Sequence, residues 1–267
     1  KIIEYHIIFS NEDSRVGLGL ADLMFSYGRT TDIEWVYRVE LDCDGEIIDE
    51  QFQGPSHTTT NFNGQKIGQH PILKNATLNC NFTDIGISDY KFFLVPIQQQ
   101  SSGTRQMLMD ENSWSYRIMG EELINENRYE LEPNPSTIEM SDVRNYLYIE
   151  YLARAFNGLD HTLDLAIKFH GDCNYYFHNH QSELFQTNAS SFNPNISTAD
   201  RTSIELMHDF DINNIEALGF ILNIESNNFN SIEFFIEDIV KLFYLDDNYI
   251  PIDIPINFYS STLNGEN

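Results

Sequence analysis

Ile33-Glu34-Trp35-Val36-Tyr37-Arg38-Val39-Glu40-Leu41, then Asp42-Cys43-Asp44-Gly45, then Glu46-Ile47-Ile48-Asp49-Glu50-Gln51-Phe52, is the stretch whose reading decides the fold. Ile33, Trp35, Tyr37, Val39 and Leu41 alternate with Asp32, Glu34, Arg38 and Glu40, the period of a half-buried strand. Asp44-Gly45 is a strong two-residue hairpin signal, because both residues tolerate the left-handed backbone such a turn requires. Residues 46–52 then form the return strand. This is an antiparallel β unit, and the rest of the chain is read from it.

Toward the N-terminus, residues 2–9 are β-branched and aromatic and read as a strand. A polar turn follows at residues 10–13, then a short helix over 16–25 that Gly28 ends. Toward the C-terminus, Asn63-Gly64 is a second hairpin signal, flanked by arms at 57–62 and 65–70. Strands are expected at 72–78 and 90–96, a polar loop at 98–103, and a helix over 113–126 with Ser113 as its cap and Trp114, Ile118 and Leu123 near one face. Glu132-Pro133-Asn134-Pro135-Ser136 is the best boundary. Beyond it, strands recur at 146–153, 162–169, 174–178, 202–207, 215–224 and 232–245, the even spacing of a sandwich. The expected class is mainly β. The C-terminal half is an antiparallel β-sandwich of jelly-roll type, and the N-terminal half is β-rich with one or two short helices. The expected domains are 1–132 and 140–250, followed by a tail over 251–267.

Composition bounds the partners. The 267 residues include 41% hydrophobic side chains, 19 Phe and 14 Tyr, enough for sizeable cores. The 41 acidic residues against 15 basic ones give a net charge of −26. That field repels nucleic acids and favours divalent cations and neutral or cationic partners. Apolar runs are short or interrupted by charge, whereas a membrane helix needs about 20 apolar residues. Lys is scarce in a chain otherwise rich in Ile, Phe, Tyr and Asn, so the acidity reads as selected. The first residue is Lys1 and no charged-then-apolar leader precedes the first strand, which reads as an exported protein with its leader removed or as a trimmed chain. Cys43, Cys80 and Cys173 are odd in number. A Cys43–Cys80 disulfide, with Cys173 left over, is the expected pairing. Sequons stand at Asn75, Asn81, Asn188 and Asn195.

The candidate site follows from hairpin arithmetic. A two-residue turn at Asn63-Gly64 pairs Phe62 with Gln65 and sets His57 opposite His70, with Cβ atoms about 5 Å apart. The turn at Asp44-Gly45 pairs Cys43 with Glu46 and brings Glu34 to Pro55, two residues before His57. Asp32, Glu34, His57 and His70 are therefore expected to converge. Such a set binds a metal, or divides acid and base roles between a carboxylate and an imidazole. Arg29 and Arg38 would bind an anionic group nearby. The plainer alternative is that Asp32 caps a turn, Glu34 pairs with Arg38 and the histidines are simply exposed. His170, Asp172, Cys173, His178 and His180 form a second cluster. His178 and His180 share a strand face, but their spacing fits no strong zinc pattern, and two surface histidines are the commoner outcome.

Two segments, Leu218-Gly219-Phe220-Ile221-Leu222-Asn223-Ile224 and Ile236-Glu237-Asp238-Ile239-Val240-Lys241-Leu242, resemble carbohydrate-binding modules and related jelly rolls over residues 142–247. The resemblance implies that Asp238 helps hold a structural calcium, against the alternative of a solvated outward charge. It also implies that Tyr175, Tyr176 and Phe177 supply part of a platform for sugar rings. Gly28-Arg29-Thr30-Thr31-Asp32-Ile33-Glu34, followed by a hairpin, His57 and His70-Pro71, resembles the order in necrosis-inducing (NPP1-type) and Vps62-like β-sandwich proteins over residues 28–78. That likeness implies Asp32 and Glu34 as ligands of a divalent cation and an action on membrane glycolipids. The family's motif histidines are replaced by Arg29 and Thr31, and its Trp by Ile33.

The expected function is that of an exported acidic β protein engaging extracellular or cell-surface glycans. Glu34, His57 and His70 would perform acid–base or metal-assisted cleavage, with a divalent cation such as calcium at Asp32, Glu34 or Asp238. A non-catalytic surface or assembly protein stabilised by calcium is the alternative, and a glycolipid-binding toxin is a third reading.

Overall fold

A computed structural model describes residues 1–12, 19–87, 105–134, 139–156, 161–173, 176–177, 200–206, 211–224, 233–256 and 261–264. The chain is mainly β, its strand pairs are antiparallel, and it divides into two compact units. One unit comprises residues 1–17 and 31–102; the other comprises 18–30 and 103–267.

The first unit is built on a four-stranded sheet in chain order: β1 (Ile2–Ile8), β2 (Ile33–Leu41), β3 (Ile47–Gly54) and β4 (Thr58–Asn61). Two short ladders follow, β5 (Lys66–Ile67) with β6 (His70–Pro71), and β7 (Lys74–Asn75) with β8 (Phe82–Thr83). Val36, Tyr37, Val39, Phe52, Phe62 and Phe82 form its core, with Ile3, Ile7 and Phe9 against them. Each such side chain, taken from water to full burial, contributes about 1.5–3 kcal/mol.

β2 does not alternate as its sequence suggests. Tyr5 pairs with Tyr37 but His6 pairs with Trp35, so Val36 is an extra residue, a β-bulge. The bulge reverses the faces of everything before it. Val39 and Tyr37 face the core, and across the bulge so does Glu34, which pairs with the core-facing Ile7. Trp35 turns outward with Arg38, whose guanidinium lies 4.7 Å from its ring. The expected grouping of Trp35 with Tyr37 and Val39 is corrected accordingly.

Both hairpins differ from expectation in an instructive way. The Asp44-Gly45 turn widens because Asp42 Oδ1 accepts from the backbone nitrogens of Asp44 and Glu46, each at 2.9 Å. A one-residue slip between Glu40 and Leu41 absorbs the change. The pairs from Glu40↔Asp49 to Tyr37↔Phe52 keep the register that Cys43 opposite Glu46 would set. Asn63-Gly64 is no hairpin turn. Asn63 N donates to Asp84 Oδ2 at 2.7 Å, and a Cβ on Gly64 would stand 2.7 Å from the Asp84 carbonyl oxygen. This glycine serves a close approach of two chain segments. The chain reverses instead at Pro55–His57 and again after Ile67.

The second unit has three layers. One sheet runs β12 (Asp200–Glu205), β9 (Tyr146–Phe156), β14 (Glu233–Leu245), β15 (Pro251–Asp253), with β16 (Ser261–Asn264) also on β14. The other runs β11 (Tyr176–Phe177), β10 (His161–Phe169), β13 (Ile215–Ile224). Leu147, Ile149, Leu165, Ile167, Ile204, Ile236 and Leu242 from both sheets share one core, so this is a sandwich. β9 pairs with β14 and β10 with β13, as a long hairpin rolled up on itself would give. Residues expected as a tail contribute β15 and β16.

The third layer is helical: α1 (Leu20–Tyr27), α2 (Arg105–Glu111) and α3 (Trp114–Asn125). Along β9, Leu147, Ile149 and Tyr151 enter the sandwich core, while Tyr146, Tyr148 and Glu150 are buried with the other face. Tyr148 stacks on Phe243 at 4.8 Å, and Tyr116 of α3 meets both rings edge-on at 6.0 and 5.9 Å. The buried side of α3 is Tyr116, Met119, Gly120 and Leu123; Trp114 and Ile118 are exposed, and Ser113 makes no side-chain cap. Arg201, 3% exposed, ties this layer together. It donates to Asp110 Oδ1 and Oδ2 at 3.0 and 2.7 Å, to Glu150 at 2.5 Å and to the Tyr116 hydroxyl at 2.8 Å. α1 ends at Gly28, whose φ is +60° and whose N–H donates to the Met24 carbonyl at 2.7 Å; the Ser203 and Thr202 hydroxyls donate to the carbonyls of Met24 and Phe25 in that last turn.

Candidate functional site

Glu34, Gln53, His57 and Asn79 come together in the first unit. Glu34 is brought to the core side by the bulge in β2, and its side chain is 2% exposed. Gln53, on the neighbouring strand β3, is fully buried. His57 closes the turn between β3 and β4. Ser56 and His57 both take the left-handed backbone, with φ +59° and +57°, a strained pair at about 1–3 kcal/mol per residue. That turn sets the His57 ring against Glu34, with Nδ1 3.6 Å from Oε1 and the ring 45% exposed.

The amides define how the ring is held. Gln53 Nε2 donates to Glu34 Oε2 and lies 3.1 Å from His57 Nδ1. The carboxylate can only accept, so the Gln53 group facing it is the NH2, and the same NH2 then faces His57 Nδ1. A neutral imidazole accepts from that NH2 only in the tautomer with its proton at Nε2. Asn79 Nδ2 lies 3.0 Å from His57 Nε2. A neutral ring carries one lone pair, so it accepts from Gln53 at Nδ1 in one tautomer or from Asn79 at Nε2 in the other.

Behind the cluster lies a buried thiol. Cys80 is 6% exposed and hydrogen-bonded to Asp32, which is 4% exposed. Burial, reinforced by the charges of Asp32, Glu12 and Glu34, pushes the Cys80 thiol up to about 12, so it stays protonated. Cys80 also has a left-handed φ of +47°. The expected Cys43–Cys80 disulfide is not formed: Cys43 is an exposed free thiol in the β2–β3 loop, and Cys173 is free and exposed as well.

The sequence brought Glu34 to Pro55 by register, and the structure places Glu34 beside His57. It does not set His70 opposite His57. His70 is exposed and pairs with Ile67 across the turn at residues 68–69. Asp32 takes its place at the Cys80 thiol. Arg38 is engaged by Glu4, from Nε at 2.7 Å, and Arg29 belongs to the second unit with Tyr27 under its guanidinium at 5.3 Å. Asp238 is exposed on β14, beside a bulge at Glu237. Among the described residues no group of three or more His, Cys, Asp or Glu is arranged to hold a metal ion. His178, His180 and Tyr175 lie outside the described residues, as do the side chains of Tyr176 and Phe177. Gln53 and Asn79 were not anticipated. Gln53 was within reach of the same register count that found Glu34. Asn79 sits in a non-repetitive segment with no periodicity to flag it.

A cavity of about 330 Å³ in this unit is lined by Asn63, Gly64, Gln65, Ile72, Asp84 and Ile85–Ile87, and not by His57 or His70. No protein-family model, no curated protein and no solved structure matches this chain.

Proposed function

We propose that this chain engages neutral glycans outside the cell and that Glu34 and His57 act on them as an acid–base pair. The observation that carries the reading is the buried Glu34 carboxylate 3.6 Å from Nδ1 of a half-exposed imidazole. In its imidazolium form the ring holds a proton at Nδ1, which the Glu34 carboxylate stabilises. The outward Nε2–H is then the acid that protonates a leaving oxygen. The ring is left with Nδ1–H on Glu34 and a lone pair at Nε2, which takes the proton of an attacking water and regenerates the imidazolium. Every proton is accounted for without a metal, and none of the steps involves His70 or Asp32.

A neutral, hydroxyl-rich ligand is favoured by two features. The net charge of −26 disfavours polyanions. Beside His57, β4 presents Thr58, Thr59, Thr60 and Asn61, all exposed, as a strip of hydroxyl and amide groups. The test is an array of neutral oligosaccharides, followed by reducing-end release from those that bind. Glu34→Gln and His57→Gln should each lower turnover by about 100-fold or more, the usual worth of a positioned acid–base group. Equal turnover in both variants, or no neutral glycan bound or cleaved, sinks the reading.

A further inference from the structure

The outer strand β1 reads Ile2-Ile3-Glu4-Tyr5-His6-Ile7-Ile8. About Tyr5 it is a palindrome, except that Glu4 answers His6. β1 is also the end strand of its sheet among the described residues. Ile2 is 64% and Tyr5 42% exposed. No Lys, Pro or bulge within β1 blunts this edge, the usual protections of an open one.

The backbone sets which residues can pair outward. Lys1 exchanges both bonds with Leu41, each at 2.8 Å, and Phe9 N donates to Asp32 O at 2.8 Å. Odd-numbered residues therefore turn their N–H and C=O toward β2. Ile2, Glu4, His6 and Ile8 turn theirs to the open edge.

We infer that β1 is a self-association edge, pairing antiparallel with β1 of a second copy about a two-fold axis through Tyr5. In that register residue i meets residue 10 − i. Ile2 lies opposite Ile8, Ile3 opposite Ile7, Tyr5 opposite Tyr5, and Glu4 opposite His6 twice. Even residues meet even residues, which is the parity that edge hydrogen bonding requires. Within each copy His6 Nε2 already lies 2.7 Å from Glu4 Oε1 and Arg38 holds Oε2, so the one break in the palindrome brings two such Glu4–His6 pairs face to face, each imidazole beside the carboxylate of the other copy as well as its own. Like residues at those positions would instead meet as acid against acid or imidazole against imidazole. The two four-stranded sheets become one of eight strands. The net charge of −26 on each copy opposes the approach, and salt screens it within about 8 Å at physiological ionic strength. Association should therefore tighten as salt is raised.

The experiment is sedimentation equilibrium of the full chain from 1 to 100 μM in 0.15 and 0.5 M NaCl, joined to disulfide trapping. A reversible dimer, tighter at higher salt, is expected. His6→Glu sets acid against acid and should weaken it at least tenfold. The exchange Glu4→His with His6→Glu should recover it. His6→Pro removes an N–H that β2 does not use and should also leave a monomer, with Trp35 fluorescence in a Trp114→Phe background reporting that the unit is folded. In a Cys43→Ser, Cys173→Ser background, Tyr5→Cys should crosslink on oxidation, since facing residues of a non-hydrogen-bonded pair have Cα atoms about 4.5 Å apart, within disulfide range. Ile3→Cys should not, since its twin would lie four residues, about 13 Å, along the strand. A monomer at every concentration, a dimer indifferent to His6→Glu, or crosslinking at residue 3 and not at residue 5 overturns the inference. None of these outcomes depends on glycan binding or turnover.

Discussion

Replacing Arg201 with Met tests the account of how the helices are held to the sheet. The guanidinium makes two bonds to Asp110, two to Glu150 and one to Tyr116, and lies 5.2 Å from the Phe243 ring centroid. Met fills much of the same volume, so lost packing is small and the effect is mainly electrostatic. Without Arg201, the Glu150 side chain, 7% exposed, loses its cation, and Asp110, 16% exposed, keeps Lys241 at 3.0 Å and the Tyr116 hydroxyl at 2.5 Å. Removing one partner of such a buried set costs about 3–5 kcal/mol. For a unit of this size that is a fall in Tm of roughly 10 °C.

The pH dependence carries a second signature. Burial alone would raise Asp110, but the bonds and charge of Arg201, with Tyr116 and Lys241, outweigh it and hold the carboxyl below its usual range. A depressed carboxyl contributes stability that is present above its unfolded pKa and lost as pH falls through the folded one. The wild type should thus lose stability on acidification below about pH 4. In Arg201→Met the sign reverses: lowering pH from 7 toward 5 should stabilise, because it neutralises buried carboxylates that have lost their guanidinium. Urea unfolding followed by Trp114 fluorescence in a Trp35→Phe background reads this unit, since the chain has only these two tryptophans. Adding Glu150→Gln to Arg201→Met should restore about 1–3 kcal/mol at pH 7, the cost of an unsatisfied buried group. A single variant within 1 kcal/mol of wild type, with an unchanged pH profile, would refute the reasoning.

Three further outcomes are expected. Alkylation of the native chain at pH 8 should modify Cys43 and Cys173 within minutes and Cys80 only after unfolding, as peptide mass spectrometry would show; rapid native labelling of Cys80 contradicts its burial and its bond to Asp32. Ser56→Gly should raise stability by about 1 kcal/mol by relieving its left-handed backbone, measured as an increase in urea midpoint; a loss would show that the serine side chain matters more than the strain. Glu205 is pushed above its usual range by burial, although Ser141, Asn134 and Tyr146 donate to it. A raised carboxyl costs stability as pH climbs from its unfolded pKa through its folded one, so Glu205→Gln should gain on wild type between pH 4 and 8, and parallel curves would exclude that linkage.

The C-terminal strands were legible because each carries a β-branched or aromatic run closed by turn residues; residues 215–224 form a strand with those same bounds. β9 was found for a less simple reason. Tyr146-Leu147-Tyr148-Ile149 does not alternate in polarity, because both of its faces are buried. The helix packing was not legible, since Trp114 and Ile118 look apolar in the sequence while the inward face uses Tyr116, Met119 and Gly120. In the first unit, alternation along Ile33–Leu41 found the strand and misassigned half its faces. Val36 carries no mark of being the extra residue, and a bulge is a property of two strands together. Register counting found Glu34 beside the β3–β4 turn because the slip at Leu41 is confined to the loop end. It failed for His70 because Asn63-Gly64 is a turn signal in isolation and a packing surface once Asp84 lies against it.

The two-sided burial of β9 works as a proofreading device during folding. Shifting this strand by a single residue would push Tyr146, Tyr148 and Glu150 into the aliphatic interior and present Leu147 and Ile149 to the Arg201 guanidinium. Few neighbouring alignments could then be mistaken for the correct one, and the central strand of the second unit should be the last to tolerate insertions.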